Sequence, residues 1–165
     1  MTTVVFIHGA DGYADDAPLA TSLEQHVGMP VLYPEMPDQD DWTAAIAERI
    51  EPVEIPPIVV GHSTGGYQLL KYLAQSHKRV KAIFIIAAPF PGGDPDWTFD
   101  GFDLPDCSAL DAPVFIYQSK DDEVVPFAHR DLWAAAIPGS VTRTTMGGHQ
   151  LNGDLRIVAD DIRSL

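Results

Sequence analysis

The chain has 165 residues and a formal net charge of −14, from 24 acidic and ten basic side chains. Its length fits one domain over residues 1–165, and so negative a surface disfavours nucleic acid and anionic membranes as partners. Cys107 is the only cysteine, which excludes an internal disulfide, and the sequence contains neither a structural zinc pattern nor an apolar stretch of transmembrane length. Because the N-terminus lacks a basic region followed by a long apolar run, the expected location is the cytoplasm.

Short apolar runs rich in β-branched residues alternate along the chain with amphipathic stretches. The short runs predict buried strands, and the stretches with apolar residues at helical spacing predict helices. In chain order we predict a strand over 3–9, a helix over 19–27, a strand over 30–34, a helix over 41–51, a strand over 57–63, a helix over 65–77, a strand over 80–89, a strand over 113–119, a helix over 127–137, a strand over 140–146 and a helix over 155–165. This alternation predicts an α/β fold, with a mostly parallel sheet of about six strands and helices on both faces.

One irregular segment, residues 89–112, lies between two predicted strands and is rich in proline, glycine and aspartate. Irregular segments of this length in compact domains are often functional, and this one is too short to form a lid domain. Its aromatic side chains, together with one near the N-terminus, are candidates for the apolar wall of a substrate pocket: Tyr13, Phe90, Trp97, Phe99 and Phe102. The alternative is that these aromatic residues cover the edge of the sheet.

The stretch GHSTG, residues 61–65, follows a predicted strand and opens a predicted helix. In that context the pattern G-x-S-x-G is typical of a nucleophilic serine held on a sharp, strained turn. A side chain at position 61 or 65 would collide with the neighbouring strand or helix backbone, which explains the two glycines. Ser63 is therefore the predicted nucleophile, and the alternative is an ordinary Ser/Thr-Gly turn that caps a helix.

A serine hydroxyl needs a base, and His149 lies where one is expected, after the last predicted strand. Two glycines precede it and give the loop freedom to aim the imidazole. The other histidines have simpler interpretations: His62 packs beside the serine, His8 shapes the wall of the site, and three on predicted helices are solvated, namely His26, His77 and His129.

The base in turn needs an orienting carboxylate, and three acidic residues follow the strand predicted over 113–119. These are Asp121, Asp122 and Glu123, and adjacent residues point in different directions, so that only one of them can face His149. The resulting chain order of serine, acid and histidine is that of α/β-hydrolases. The alternative is that all three are loop acids or helix caps.

The oxyanion that forms on a substrate carbonyl needs two backbone N–H donors. One is expected from Thr64, directly after the nucleophile, and the other from Ala10 in the loop after the first strand. Asp11 in the same loop is expected to fold the turn.

The stretches FIHGADG, VVGHSTGG, SKDDEVVPF and GGH resemble the α/β-hydrolase superfamily over essentially the whole chain. The D-x-x-V-P spacing from Asp122 to Pro126 is similar to the acid loop of that superfamily, and this resemblance favours Asp122 over Asp121. The stretches AAPF and DWTFDGFD look like the compact, capless branch near retinoblastoma-binding protein nine, whose members are serine hydrolases of poorly defined substrate. The chain departs from the superfamily pattern by lacking its first two antiparallel strands and a lid insertion.

These observations predict a carboxylesterase-like serine hydrolase that cleaves a small-molecule ester, thioester or amide through an acyl-serine intermediate. No cofactor or metal is implied, and short acyl groups are favoured because no lid shields a long one. The alternatives are perhydrolase or lyase chemistry on the same triad, or a binding protein that kept the fold without activity. The oligomeric state does not follow from the sequence.

Overall fold

The structure, a computed structural model, describes residues 1–10 and 12–165. Asp11, expected to fold the turn after the first strand, lies outside these residues. The elements in chain order are β1 Val4–Ile7, α1 Ala17–Val27, β2 Val31–Leu32, α2 Thr43–Ile50, β3 Ile58–His62, α3 Thr64–Gln75, β4 Ala82–Ile86, β5 Val114–Ser119, α4 His129–Ala136, β6 Val141–Thr145 and α5 Arg156–Arg163. Every predicted strand and helix is present, with ends that differ from the predicted ones by a few residues. In the described part of the chain, none of the helices has the length and apolar character that crossing a membrane requires.

The strands form one sheet in the order β2-β1-β3-β4-β5-β6, and each neighbouring pair is parallel. The prediction of a mostly parallel sheet of about six strands is thereby confirmed. The chain adds β2 on one side of β1 and β3 on the other, so that the strand order reverses between β1 and β3. In open α/β sheets, ligands bind beyond the carboxyl ends of the strands at this reversal. Gly9 and Ser63 follow the carboxyl ends of these two strands.

Both faces of the sheet are covered by helices, as predicted. Helices α2, α3 and α4 cover one face, with Ile46, Leu70 and Trp133 among their buried side chains. Helices α1 and α5 cover the other face with Leu23 and Val158. A strand with water excluded from both sides needs apolar residues at successive positions, which explains the continuous apolar runs in the sequence.

The irregular segment, residues 89–112, packs against the face that carries α3 and α4. The ring of Phe102 meets that of Tyr67 edge-on, with centroids 4.5 Å apart. At the start of α4, the buried ring of His129 donates from Nε2 to Asp94 at 2.5 Å and accepts the N–H of Phe90 on Nδ1 at 2.8 Å. These contacts tie the segment to both helices.

Candidate active site

Ser63 lies on a sharp turn between β3 and α3, with φ of 55° and ψ of −129°. A positive φ is costly for a residue with a side chain, and such strain clusters at functional sites. The turn is held from below by the N–H of Ser63, which donates to the carbonyl of Ile86 at 2.8 Å. The serine therefore stands at the carboxyl edge of the sheet in a conformation fixed by its neighbours.

The glycines around Ser63 are required by close backbone contacts, as the sequence predicted. A Cβ at Gly61 would lie 2.6 Å from the Cα of Gly66 in α3. A Cβ at Gly65 would lie 2.2 Å from the carbonyl oxygen of His8 and 2.5 Å from that of Ile7. Both distances are far below van der Waals contact, so the turn packs against its helix and the end of β1 without room for a methyl group.

His149 faces Ser63 across the carboxyl edge. Its Nε2 lies 3.0 Å from Oγ of Ser63, and the side chain is largely buried. The loop that carries it passes through Gly147 and Gly148, whose φ angles of 102° and 72° favour glycine. With the two glycines in these conformations, the chain turns back after β6 and places the ring of His149 at the carboxyl edge of the sheet.

Asp122 is the acid that contacts the histidine ring. Its Oδ2 accepts from Nδ1 of His149 at 2.9 Å, and its Oδ1 accepts the N–H groups of Val124 and Val125, each at 2.8 Å. Burial pushes the pKa of Asp122 upward, but the hydrogen bonds from His149 and the two N–H groups outweigh it and leave the pKa below its usual value. The carboxylate is therefore ionised and orients the ring.

The two acidic neighbours of Asp122 hold the backbone of the histidine loop instead of the ring. Asp121 accepts the N–H of Gly148 at 3.0 Å and that of Gly147 at 3.3 Å, and the first of these bonds is the main cause of its lowered pKa. Glu123 accepts the N–H of His149 at 3.2 Å. The three acids thus point in three directions, and each one contacts a different part of the loop.

One of the two expected oxyanion donors is engaged by the side chain of the residue that carries the other. The N–H of Ala10 donates to Oγ1 of Thr64 at 2.7 Å. The turns that carry them are in close contact, because a Cβ at Gly9 would lie 3.2 Å from Cβ of Ser63. Sequence reasoning counted only N–H groups and so missed the Thr64 hydroxyl, whose contact joins residues 54 positions apart.

A second buried histidine–aspartate pair lies beneath this edge. His62 donates from Nδ1 to Oδ2 of Asp16 at 2.8 Å and from Nε2 to the carbonyl of His149 at 2.8 Å. The same Asp16 oxygen accepts the N–H of Gly9 at 2.9 Å. The sequence predicts that His62 packs beside the serine, which describes its burial but not these bonds. Asp16 was not predicted, because an aspartate before a helix normally indicates a cap.

Two recesses meet at Ala10, and neither of them is lined by Ser63 or His149. One, of about 450 Å³, is lined by Thr64, Phe99 and Phe102 among others, and the other, of about 710 Å³, includes Tyr13 and shares Ala10 with the first. Two of the predicted wall residues lie outside both recesses because they pack on the core: Phe90 stacks edge-on against Trp133 with ring centroids 4.9 Å apart, and Trp97 is half-buried against the same cluster.

A model of the family described as "Serine hydrolase" matches residues 14–154, a range that contains Ser63, Asp122 and His149. No curated protein matches the chain. Among the solved structures that are similar to it are three hydrolases, and at these identities the likeness concerns the fold alone. A predicted CIB-like hydrolase from Thermoplasma acidophilum has 18% identity and a TM-score of 0.73, over 99% of this chain and 87% of that one. A putative hydrolase of the α/β superfamily from Xanthomonas campestris has 18% identity and a TM-score of 0.72 over 100% of both chains. Est1E from Butyrivibrio proteoclasticus, with ferulic acid bound, has 17% identity and a TM-score of 0.76, over 99% of this chain and 87% of that one. The chain therefore belongs to the serine hydrolase family and has the α/β-hydrolase fold.

Proposed function

We propose that this hydrolase cleaves a small ester, thioester or amide through an acyl-serine intermediate, with Ser63 as nucleophile, His149 as base and Asp122 as its orienting acid. The observation that carries the proposal is a single imidazole with a hydroxyl on one side and a carboxylate on the other. The distances are 3.0 Å from Nε2 to Oγ of Ser63 and 2.9 Å from Nδ1 to Asp122. This is the geometry that activates a serine in unrelated hydrolase folds.

The positions of the protons on the His149 ring determine the direction of the first proton transfer. An ionised Asp122 accepts only, so Nδ1 of His149 carries a proton and Nε2 of the neutral ring has a free lone pair. Nε2 takes the hydroxyl proton as Oγ forms a bond to the substrate carbonyl carbon, and the carbonyl π electrons move to its oxygen. The imidazolium then gives the proton to the leaving group, and water repeats the sequence on the acyl-serine.

The developing oxyanion is stabilised by the N–H groups of Thr64 and Ala10. Thr64 begins α3, where the helix N-terminus favours negative charge. Because the Ala10 N–H donates to the Thr64 hydroxyl in the free protein, the substrate oxygen replaces that hydroxyl as its acceptor. Exchange of one hydrogen bond for a charge-assisted one is favourable, so the occupied donor does not prevent catalysis.

The recess of about 450 Å³ that Phe99 and Phe102 line, called the aromatic recess below, supports a carboxylesterase-like specificity for a small acyl group. Phe99 and Phe102 stack with ring centroids 4.8 Å apart and form part of its wall beside Thr64. The absence of a lid in the sequence argues for short acyl chains, and compact size together with the segment 89–112 supports assignment to the retinoblastoma-binding-protein-nine-like branch. A screen of p-nitrophenyl esters tests the specificity: turnover should fall as the acyl chain lengthens, and better turnover of long than short chains would contradict it.

A fluorophosphonate probe tests the nucleophile, because it labels activated serines covalently. We expect labelling of the wild type and of Ser76→Ala, a control that removes another serine at the far end of α3. Ser63→Ala should not label. Failure of the folded wild type to label, or equal labelling of Ser63→Ala, would overturn the assignment.

A further inference from the structure

The pair formed by Asp16 and His62 has no part in the proposed reaction, yet it is the most deeply buried ion pair at the carboxyl edge. Each of the two side chains is only 1% exposed. One hydrogen bond of 2.8 Å joins the two side chains. Two more join the pair to the N–H of Gly9 at 2.9 Å and to the carbonyl of His149 at 2.8 Å. The chain of contacts therefore begins beside one expected oxyanion donor and ends on the proposed base.

The partners of His62 fix its protonation state. A carboxylate and a backbone carbonyl can only accept hydrogen bonds, so both ring nitrogens of His62 must carry protons. Burial pushes the pKa of Asp16 upward, but the hydrogen bond and charge of His62 outweigh it and leave that pKa below its usual value. The pair is therefore an imidazolium and a carboxylate, and each charge is compensated by the other.

The position of Asp16 argues that its carboxylate serves this pair rather than its helix. Asp16 occupies the N-cap position of α1, where an aspartate side chain normally accepts an N–H of the first turn. Here the side chain makes no capping hydrogen bond. It accepts the N–H of Gly9 instead, and it also faces the side chain of Gln150, the residue after His149. Helix α1 therefore lacks a side-chain cap, and Asp16 instead contacts both the loop after β1 and the loop that carries His149.

We propose that Asp16 and His62 are positioning residues, which hold the main chain of His149 at a fixed place relative to Gly9 and Ala10. This inference rests on the proposed function. The base and the oxyanion donor must face the same carbonyl group, and they lie on loops that follow different strands, β6 and β1. A displacement of about 1 Å between such groups can lower the rate about 10²-fold. The pair removes that freedom through charge-assisted bonds in a dry environment.

The experiment measures kcat and KM on a p-nitrophenyl ester for Asp16→Asn, His62→Gln and the double variant. We expect kcat to fall about 10- to 100-fold in each single variant, with KM changed less than about threefold, because alignment and not binding is lost. The double variant should lose about as much as the worse single variant, since the two residues act as a unit. Asp161→Asn is the matched control: Asp161 also accepts from a cation, Arg143, at 3.0 Å, but contacts neither loop. Its kcat should stay at the wild-type value.

Three outcomes would overturn the inference. One is an unchanged kcat for folded Asp16→Asn, with the whole effect appearing as a lower melting temperature, which marks a structural role only. Another is an additive loss in the double variant. The third outcome needs no variant and comes from nitrogen NMR of the wild type, with His62 assigned by through-bond correlation. We expect protons on both ring nitrogens of His62. An unprotonated ring nitrogen would contradict the ion pair. If the folded wild type neither labels at Ser63 nor turns over any ester, the proposed function fails and the positioning role fails with it, whereas the ion pair is still decided by NMR.

Discussion

Two regions of this protein each pair a buried histidine with an aspartate, through Nδ1 of His149 in one and through Nε2 of His129 in the other, and only the first has a hydroxyl group on its second ring nitrogen. At the carboxyl edge, His149 donates to Asp122 at 2.9 Å. At the start of α4, the buried His129 donates to Asp94 at 2.5 Å. A buried histidine–aspartate pair is therefore not by itself a sign of a catalytic site.

The partner of the second ring nitrogen makes the difference. In His129 that nitrogen accepts the N–H of Phe90 at 2.8 Å, so its partner is a fixed donor. In His149 it faces the Ser63 hydroxyl, which can donate or accept. His62 completes the series, since the partner of its second nitrogen is a carbonyl, which is a fixed acceptor. A hydroxyl partner lets the ring change state, whereas a fixed donor or a fixed acceptor does not.

The largest expected effect comes from removing the two rings in turn. His149→Ala should lower kcat/KM about 10⁴-fold or more, because the serine loses its base. His129→Ala should cost stability, about 2–4 kcal/mol of unfolding free energy, because it deletes a buried, hydrogen-bonded side chain. Its kcat, measured on the folded fraction, should fall far less. Similar losses of kcat in the two variants would break the comparison.

The next-largest effect should distinguish Asp122 from its neighbour Asp121. Asp122→Asn should lower kcat about 10⁴-fold, because an amide no longer holds the ring in the required tautomer. Asp121→Asn is the matched control, with the same chemical change one residue away on a side chain that contacts only backbone N–H groups. It should lose far less activity than Asp122→Asn, because Asp121 does not contact the ring of His149. The account is contradicted if Asp121→Asn is the more damaging of the two.

Acid should weaken the interaction between Asp122 and His149 by protonating the Asp122 carboxylate. The folded-state pKa of Asp122 lies below the ordinary value of 3.8, so its contribution to stability is present above that pH and is lost as the pH falls through the folded-state pKa. Asp122→Asn lacks this group. In denaturant unfolding between pH 6 and pH 3, the wild type should therefore lose more unfolding free energy than the variant, and equal losses would argue that the carboxylate is not stabilised by the fold.

The smallest effect concerns two phenylalanines of the irregular segment. Phe99 is 55% exposed and lines the aromatic recess, whereas Phe90 packs on Trp133. Phe99→Ala should raise KM for aromatic or short-chain esters several-fold, because the substrate loses about 1 kcal/mol of apolar contact. The stability of the protein should change little. Phe90→Ala should instead lower the melting temperature and leave KM near that of the wild type. The opposite pattern would place the acyl pocket on the Phe90 side.

The features that could be predicted from the sequence are those with a local signature. Strands buried on both faces produce continuous apolar runs, and Ser63 lies on a glycine-flanked turn that follows such a run. His149 follows the edge strand β6, and its local signature is the pair of glycines before it. Asp16 had no such signature, because its partner His62 is 46 positions away and only the close approach of β1 and β3 joins them. The aromatic residues of 89–112 were ambiguous for a related reason: an irregular segment has no periodicity that tells which side faces the core.

The central claim, that Ser63 carries the acyl group, is tested most directly by trapping the intermediate. The protein is mixed with p-nitrophenyl acetate, quenched in acid within the first turnovers and analysed by peptide mass spectrometry. The account predicts an acetyl group on the peptide that contains Ser63 in the wild type, and none in Ser63→Ala. Ester turnover by the folded wild type with the acetyl group on a different residue, or unchanged turnover by Ser63→Ala, would contradict it.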